Sequence, residues 1–249
     1  GMIFSEINGT KLTRDNYRDL LFNNENNTYS IKFSELSYNV NNECANIIPG
    51  QENLTLVKSR IVKNPVHISK VIDSGGKKIA YLMYNQFLGL VESENKDYNS
   101  ELNDVFSNFL SNGAEELVID LRYNPGGRIS TSINLASMIT GQFNNQVFAK
   151  ERWNSKLMNY WNENSPESLL NKFTNKLENN QSIASLNLNR VFVLTSARTA
   201  SASELLINGL DPYIDVIHIG DFTVGKNQGS ITVYDYINES KDKNPNHMY

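Results

Sequence analysis

Three short apolar runs constrain this chain most: Glu116–Leu121 (ELVIDL), Arg190–Leu194 (RVFVL) and Asp215–Ile219 (DVIHI). ELVIDL is the kind of run that sits inside a sheet covered on both faces, and RVFVL reads as a second buried strand. DVIHI reads as a third strand, and Lys78–Tyr84 (KIAYLMY) precedes them as a fourth. Helical spacing separates them. Leu102, Val105, Phe106, Phe109 and Leu110 recur within Asn99–Leu110, and Ile133, Leu135, Ala136 and Ile139 recur after a Pro-Gly-Gly turn. Another helix starts in TASASELL (residues 199–206) and ends before Asp211-Pro212. Within the polar stretch 150–189, Glu167–Leu177 reads as the helical part, and Gly229–Tyr236 alternates like a further strand. Strand–helix–strand repetition of this kind predicts a layered α/β domain.

The first sixty residues read differently. Residues 2–8 (MIFSEIN) alternate apolar and polar and run into an Asn8-Gly9 turn. Thr13–Asn16 has capping chemistry ahead of a short helical face of Tyr17, Leu20 and Leu21, and residues 28–34 alternate again. This is a small β-rich module with one helix. Lys63-Asn64-Pro65-Val66 reads as a connector, dividing the chain into 1–66 and 67–249.

Composition removes several classes. At 249 residues with 39% hydrophobic and 20% charged residues, the chain can build a globular core. The net charge is −4, and no basic cluster interleaved with aromatics appears, which argues against a nucleic-acid partner. The single cysteine, Cys44, excludes an intrachain disulfide and any multi-cysteine metal site. No apolar run reaches membrane-spanning length. The chain opens on Gly1-Met2-Ile3 directly into a strand-like segment and closes on His247-Met248-Tyr249 without a stop signal, so both ends read as cut edges.

TASASELL carries three hydroxyls, on Thr199, Ser201 and Ser203. One reading is a helix cap, because Ser201-Ala202-Ser203-Glu204 fits the Ser-x-x-Glu capping box. The other reading uses the same geometry. A serine between a buried strand and a helix lies at the carboxyl end of the sheet, where α/β proteins place their sites. The Ala202 N–H that follows has no intrahelical partner and can donate to an oxyanion.

Such a nucleophile needs a base. The histidines are His67, His218 and His247, and His218 alternates within DVIHI as a packed strand residue would. Thr199 and Ser203 occupy the glycine positions of the Gly-x-Ser-x-Gly elbow, so a Ser-His-Asp triad is poorly supported. Lys226 is the other candidate. A lysine starts near ~10.4 and becomes a base near neutral pH only when an apolar surrounding lowers that value. Gly220–Lys226 also matches Gly-x-x-x-x-Gly-Lys, the start of a phosphate-binding loop. However, Asn227 replaces the Ser/Thr that would hold magnesium, and a strand-like segment follows where a helix should. The third element, Asp120–Gly127 (DLRYNPGG), puts two glycines at a strand end, where backbone N–H groups can approach a ligand closely.

VIDLRYNPGG (118–127), TSARTASASE (195–204) and TVGK (223–226), in this order, resemble the C-terminal processing peptidases, also called tail-specific proteases. The resemblance covers roughly residues 67–236. It implies a ClpP/crotonase-like layered protease domain and serine-type peptide-bond hydrolysis through an acyl-enzyme. By that resemblance Ser201 is the nucleophile, Lys226 the base and Glu204 a supporting residue. The oxyanion donors are the N–H of Ala202 and of Gly126 or Gly127. Polypeptides are the implied substrates, no cofactor or metal is implied, and an envelope or periplasmic location is expected. Many members carry a lysine-orienting glutamine four residues after the lysine. Here that position is Ser230, with Gln228 as a possible substitute. IFSEINGTKLTRDNYRDLL resembles the later part of a PDZ domain, so a truncated PDZ-like module is expected before the protease domain. A catalytically idle peptide-binding protein on the same fold and a nucleotide-binding protein are the alternatives.

Overall fold

The structure is a computed structural model that describes residues 3–22, 27–41, 43–59, 63–92, 95–231, 235 and 237. It divides into two compact units, Gly1–Lys63 and Asn64–Tyr249.

In the first unit, β1 (Ile3–Ile7) turns at Asn8-Gly9 into β2 (Thr10–Lys11), and α1 (Tyr17–Phe22) follows. β3 (Thr28–Tyr38) and β4 (Cys44–Val57) then form a long antiparallel hairpin. The sheet order is β2-β1-β3-β4. β4 was not foreseen, because its solvent-facing sequence does not alternate cleanly. Thr13 and Asn16 cap α1 reciprocally, each side chain accepting the other's N–H. Among the described residues of this unit, the buried apolar side chains are Ile7 and Ile31.

In the second unit, β5 (Val66–Ser74) and β6 (Lys77–Tyr84) form a hairpin, followed by a short pair, β7 (Leu90–Val91) and β8 (Lys96–Asp97). The chain continues through α2 (Tyr98–Ser111), β9 (Glu116–Asp120), α3 (Ile129–Thr140), β10 (Val147–Lys150), α4 (Ser155–Asn164) and β11 (Leu170–Lys172). β12 (Arg190–Thr195), α5 (Ala202–Leu210) and β13 (Asp215–Gly220) complete it. The main sheet has the order β13-β12-β9-β6-β5, with β6, β9, β12 and β13 parallel.

The order explains where the core sits. Each step from β6 to β9 to β12 to β13 moves one strand in the same direction. Right-handed crossovers taken repeatedly in one direction place all their helices on one face. Leu82, Leu117, Ile119 and Val193 accordingly pack with Leu102 and Phe106 of α2, Leu135 and Ile139 of α3, and Leu206 and Leu210 of α5. Each such buried side chain contributes roughly 1.5–3 kcal/mol relative to exposure. On the opposite face Tyr81, Val118, Phe192 and Leu194 are only partly buried, and Ile217 and Ile219 are exposed. ELVIDL is therefore covered on one face, not on both as its continuous apolar character suggested. Its run stays apolar because Val118 is still partly buried on the second face.

One polar group is wholly buried on that second face. Asp120 accepts from Tyr81 Oη at 2.8 Å and from the Arg122 guanidinium at 2.6–3.1 Å. Burial opposes its ionisation, but the Arg122 and Tyr81 hydrogen bonds outweigh it and hold the carboxyl below the usual carboxylate range.

A second correction concerns residues 150–189. Glu167–Leu177 is not helical beyond the single 3-10 turn Pro166–Leu169, and β11 follows that turn. The helix of this region is α4, which Asn154 caps by accepting the Leu157 N–H at 3.1 Å. Phe173 fixes the segment by packing its ring against Phe148 and Tyr213. Of Gly229–Tyr236, residues 229–231 are not in a strand, and most of the remainder lies outside the described residues.

Candidate active site

Three loops leave the carboxyl ends of the neighbouring parallel strands β9, β12 and β13, so they are brought together by the sheet order alone. The loop after β12 holds the three hydroxyls. Thr199 Oγ donates to Leu121 O at 2.8 Å and accepts the Ser196 N–H at 3.0 Å. Ser203 Oγ donates to Asn124 O at 3.1 Å. Both side chains are fully buried, so they are structural. Ser201 alone is partly exposed.

Its backbone is unusual, with φ 58° and ψ −116°. That is the first corner of a type II′ turn, a position that glycine dominates. An L-residue held there costs on the order of 1–3 kcal/mol. The corner turns the chain from β12 into α5, whose first residue is Ala202. The Ala202 N–H precedes the first intrahelical bond and carries the partial positive charge of a helix start.

The loop after β9 lies against this corner. A Cβ on Gly126 (φ 103°) would stand 2.7 Å from Ala200 O and Ser201 Cβ and 2.8 Å from Ala202 N. Only a glycine backbone approaches the Ser201 turn this closely. The two glycines are not equivalent as donors. The Gly126 N–H is occupied, donating to Asn124 Oδ1 at 2.8 Å. Gly126 O accepts from Phe87 N at 3.0 Å and Arg128 N donates to Phe87 O at 2.8 Å. In a trans peptide the N–H points opposite the preceding carbonyl, so the Gly127 N–H is directed away from Phe87.

Glu204 joins the third loop to the first. It is 6% exposed, and its Oε2 accepts the Ser201 N–H at 2.7 Å and the Lys226 N–H at 2.9 Å. Two nitrogens on one oxygen can be no further apart than the sum of those lengths. Oε1 accepts the Gly225 N–H, and Thr223 adds a side-chain hydrogen bond. The Val224 N–H donates to Thr199 O at 3.0 Å. Burial alone would favour the neutral acid, but the Thr223 hydroxyl and the three N–H donors outweigh it and lower the Glu204 pKa.

The sign follows from that direction. A depressed folded-state pKa contributes stability above the ordinary carboxylate range, and the contribution disappears as pH falls through the lowered value. Glu204→Gln, which turns an amide donor toward N–H groups, is therefore expected to melt several degrees below wild type near neutrality. The gap should narrow in acid. Thermal melts of both proteins across the acid range check this, and a pH-independent gap would contradict it.

The remaining predicted residues fall as follows. Lys226 is brought to the Ser201 corner by its backbone. Its side chain is exposed, with no hydrogen bond to Ser201 Oγ and no ion pair among the described residues. Gln228 and Ser230 are exposed and make no hydrogen bond among the described residues. His218 lies on the edge strand β13 and contacts Thr195 Oγ1 by its Nε2, away from Ser201 Oγ. In the phosphate-loop reading, the Gly225 and Lys226 N–H groups would hold an anion. Here the anion is Glu204. Sequence reasoning missed Asn124 and Thr223. The cue for Asn124 was the Asn-Pro-Gly-Gly spelling itself, since an asparagine two residues before a glycine closes an Asx turn on its N–H.

This fold and site define a mixed α/β protein that gathers a strained serine, two glycines and a lysine-bearing loop at the carboxyl edge of a one-sided sheet. Residues 78–239 match the family model of peptidase family S41, and the chain belongs to that family. An S41 protease from Bacteroides fragilis is 30% identical with a TM-score of 0.62, covering 97% of this chain and 58% of its own. The photosystem II D1 C-terminal processing protease is 17% identical with a TM-score of 0.46, covering 91% of this chain and 52% of its own. Mature CPAF complexed with lactacystin is 12% identical with a TM-score of 0.47, covering 87% and 58%. The chain thus spans between half and three fifths of the length of these solved structures. No curated protein matches it.

Proposed function

We propose that this chain carries the catalytic site of a serine endopeptidase acting on polypeptides through a Ser201–Lys226 dyad. The observation that carries the reading is the Glu204 carboxylate, which holds the Ser201 and Lys226 backbones on one oxygen. Neutral Lys226 Nζ takes the Ser201 Oγ proton as Oγ attacks the scissile carbonyl carbon. The carbonyl oxygen becomes an oxyanion held by the Ala202 and Gly127 N–H groups. Lys226 returns the proton to the leaving amine, the C–N bond breaks, and an acyl-serine remains. Water, deprotonated by Lys226, then releases the acid and restores Ser201. In this reading the Lys226 side chain turns from solvent onto Ser201 when substrate covers the site, its backbone being already tied.

The first unit is read as the later part of a PDZ-like module. A strand, the Asn8-Gly9 turn, a short helix and a long strand in that order support this reading. Cleavage near C-termini and an envelope or periplasmic location rest on family resemblance alone.

The test is incubation of the wild-type protein with an unfolded casein, with and without EDTA, and with a fluorophosphonate reagent. Cleavage indifferent to EDTA and a single adduct on the tryptic peptide containing Ser201 are expected. An absence of both cleavage and adduct would leave an idle peptide-binding protein, and a chelator-sensitive activity would contradict the metal-free mechanism.

A further inference from the structure

The two N–H groups of the proposed oxyanion pocket belong to segments far apart in sequence, at Gly127 and Ala202. Nothing covalent fixes their spacing, and a displacement of a few tenths of an ångström weakens a hydrogen bond to a developing charge. Something must hold the two turns in register.

Asn124 touches both. It is fully buried, and all its polar groups are engaged. Its side-chain Oδ1 accepts the Gly126 N–H at 2.8 Å, which shapes the glycine turn. Its Nδ2 donates to Tyr84 O at 2.9 Å, which anchors that turn to the end of β6. Its N–H donates to Leu121 O at 3.0 Å, which closes the turn on β9. Its carbonyl oxygen accepts the Ala200 N–H at 3.2 Å and the Ser203 Oγ–H at 3.1 Å. Ala200 and Ser203 are the residues on either side of Ser201-Ala202. One residue therefore grips the nucleophile turn on both flanks with its main chain, and the glycine turn with its side chain.

We infer that Asn124 is the positioning residue of the oxyanion pocket: it sets the separation of the Gly127 and Ala202 N–H groups and, by occupying the Gly126 N–H, leaves Gly127 as the donor. The inference rests on the peptidase reading. The side chain must be a primary amide, because one planar group supplies an acceptor to Gly126 and a donor to Tyr84 at the same time. An aspartate would set oxygen against the Tyr84 carbonyl, and a leucine would offer neither.

The test measures kcat and KM for labelled casein, and inhibition by a peptide aldehyde whose hemiacetal oxyanion would fill the pocket, in three variants. Asn124→Ala should lower kcat about 100-fold with KM little changed, and weaken the aldehyde by a similar factor. Asn124→Ser keeps an acceptor within reach of the Gly126 N–H and should recover part of that loss. Ser203→Ala removes one flank of the grip and should lower kcat about fivefold, the worth of one neutral hydrogen bond. Circular dichroism establishes folding in each case. If Asn124→Ala does not fold, Ser203→Ala decides. Folded variants with wild-type kcat, or a loss confined to KM, overturn the inference while leaving the peptidase reading intact. An inert wild type overturns both.

Discussion

Ser201→Ala is expected to reduce casein cleavage by at least about a thousandfold, and Lys226→Ala by a similar factor. His218→Ala should retain most of the activity, because His218, on the edge strand β13, contacts Thr195 and not the nucleophile. The Ser201 corner makes this more than a routine knockout. With φ 58° the backbone there is in a region that glycine enters without strain. Ser201→Gly should therefore be as inactive as the alanine variant yet melt no lower than wild type. A serine retained at such a corner costs stability, and this pair of measurements separates that cost from the chemistry. If His218→Ala were the dead variant, or if Lys226→Ala kept full activity, the dyad would be wrong.

The second large effect is expected at Gly127. A Cβ there would stand 2.2 Å from Phe87 O, on a backbone with φ 147°. Relief requires the glycine turn to move away from the Phe87 backbone, and that motion carries the proposed oxyanion donor with it. Gly127→Ala should lose about 10²–10³ in kcat. It should also lose more than ~1 kcal/mol of stability, because alanine at a positive φ destabilises by more than the exchange gains at a compatible site. Kinetics on casein and thermal melting check the two parts. Wild-type turnover in Gly127→Ala would remove this glycine from the pocket.

Much of the second unit was legible because its signals are local. Leu102, Phe106 and Phe109 recur at helical spacing, and ELVIDL and RVFVL are short and apolar. The order of Ser201, Ala202 and Glu204 also announced a helix start. What could not be read depends on partners distant in sequence. Val118 in a continuous apolar run does not reveal that, among the described residues, the face it shares with Tyr81 and Phe192 is only partly buried; the direction of the crossovers decides that. α4 was placed too late because Asn154, its cap, is inconspicuous among many asparagines. At the site, Ser201 was singled out from Thr199 and Ser203 by spacing and resemblance. The physical reason became visible only in three dimensions, where Thr199 and Ser203 hydrogen-bond to Leu121 and Asn124. Gly126 and Gly127 are indistinguishable in sequence, and the Asx turn of Asn124 separates them.

The shared oxygen of Glu204 has a consequence for chain length. Ser201 and Lys226 are 25 positions apart, and the carboxylate acts as a noncovalent staple closing the loop between them. The entropy of closing a loop grows only with the logarithm of its length, about 0.6 kcal/mol for each doubling. Residues can therefore be added at the exposed Asp211-Pro212 step, ahead of the packed Tyr213 and Ile214, at little energetic cost. The geometry at the staple does not depend on how far the chain travels between its two ends.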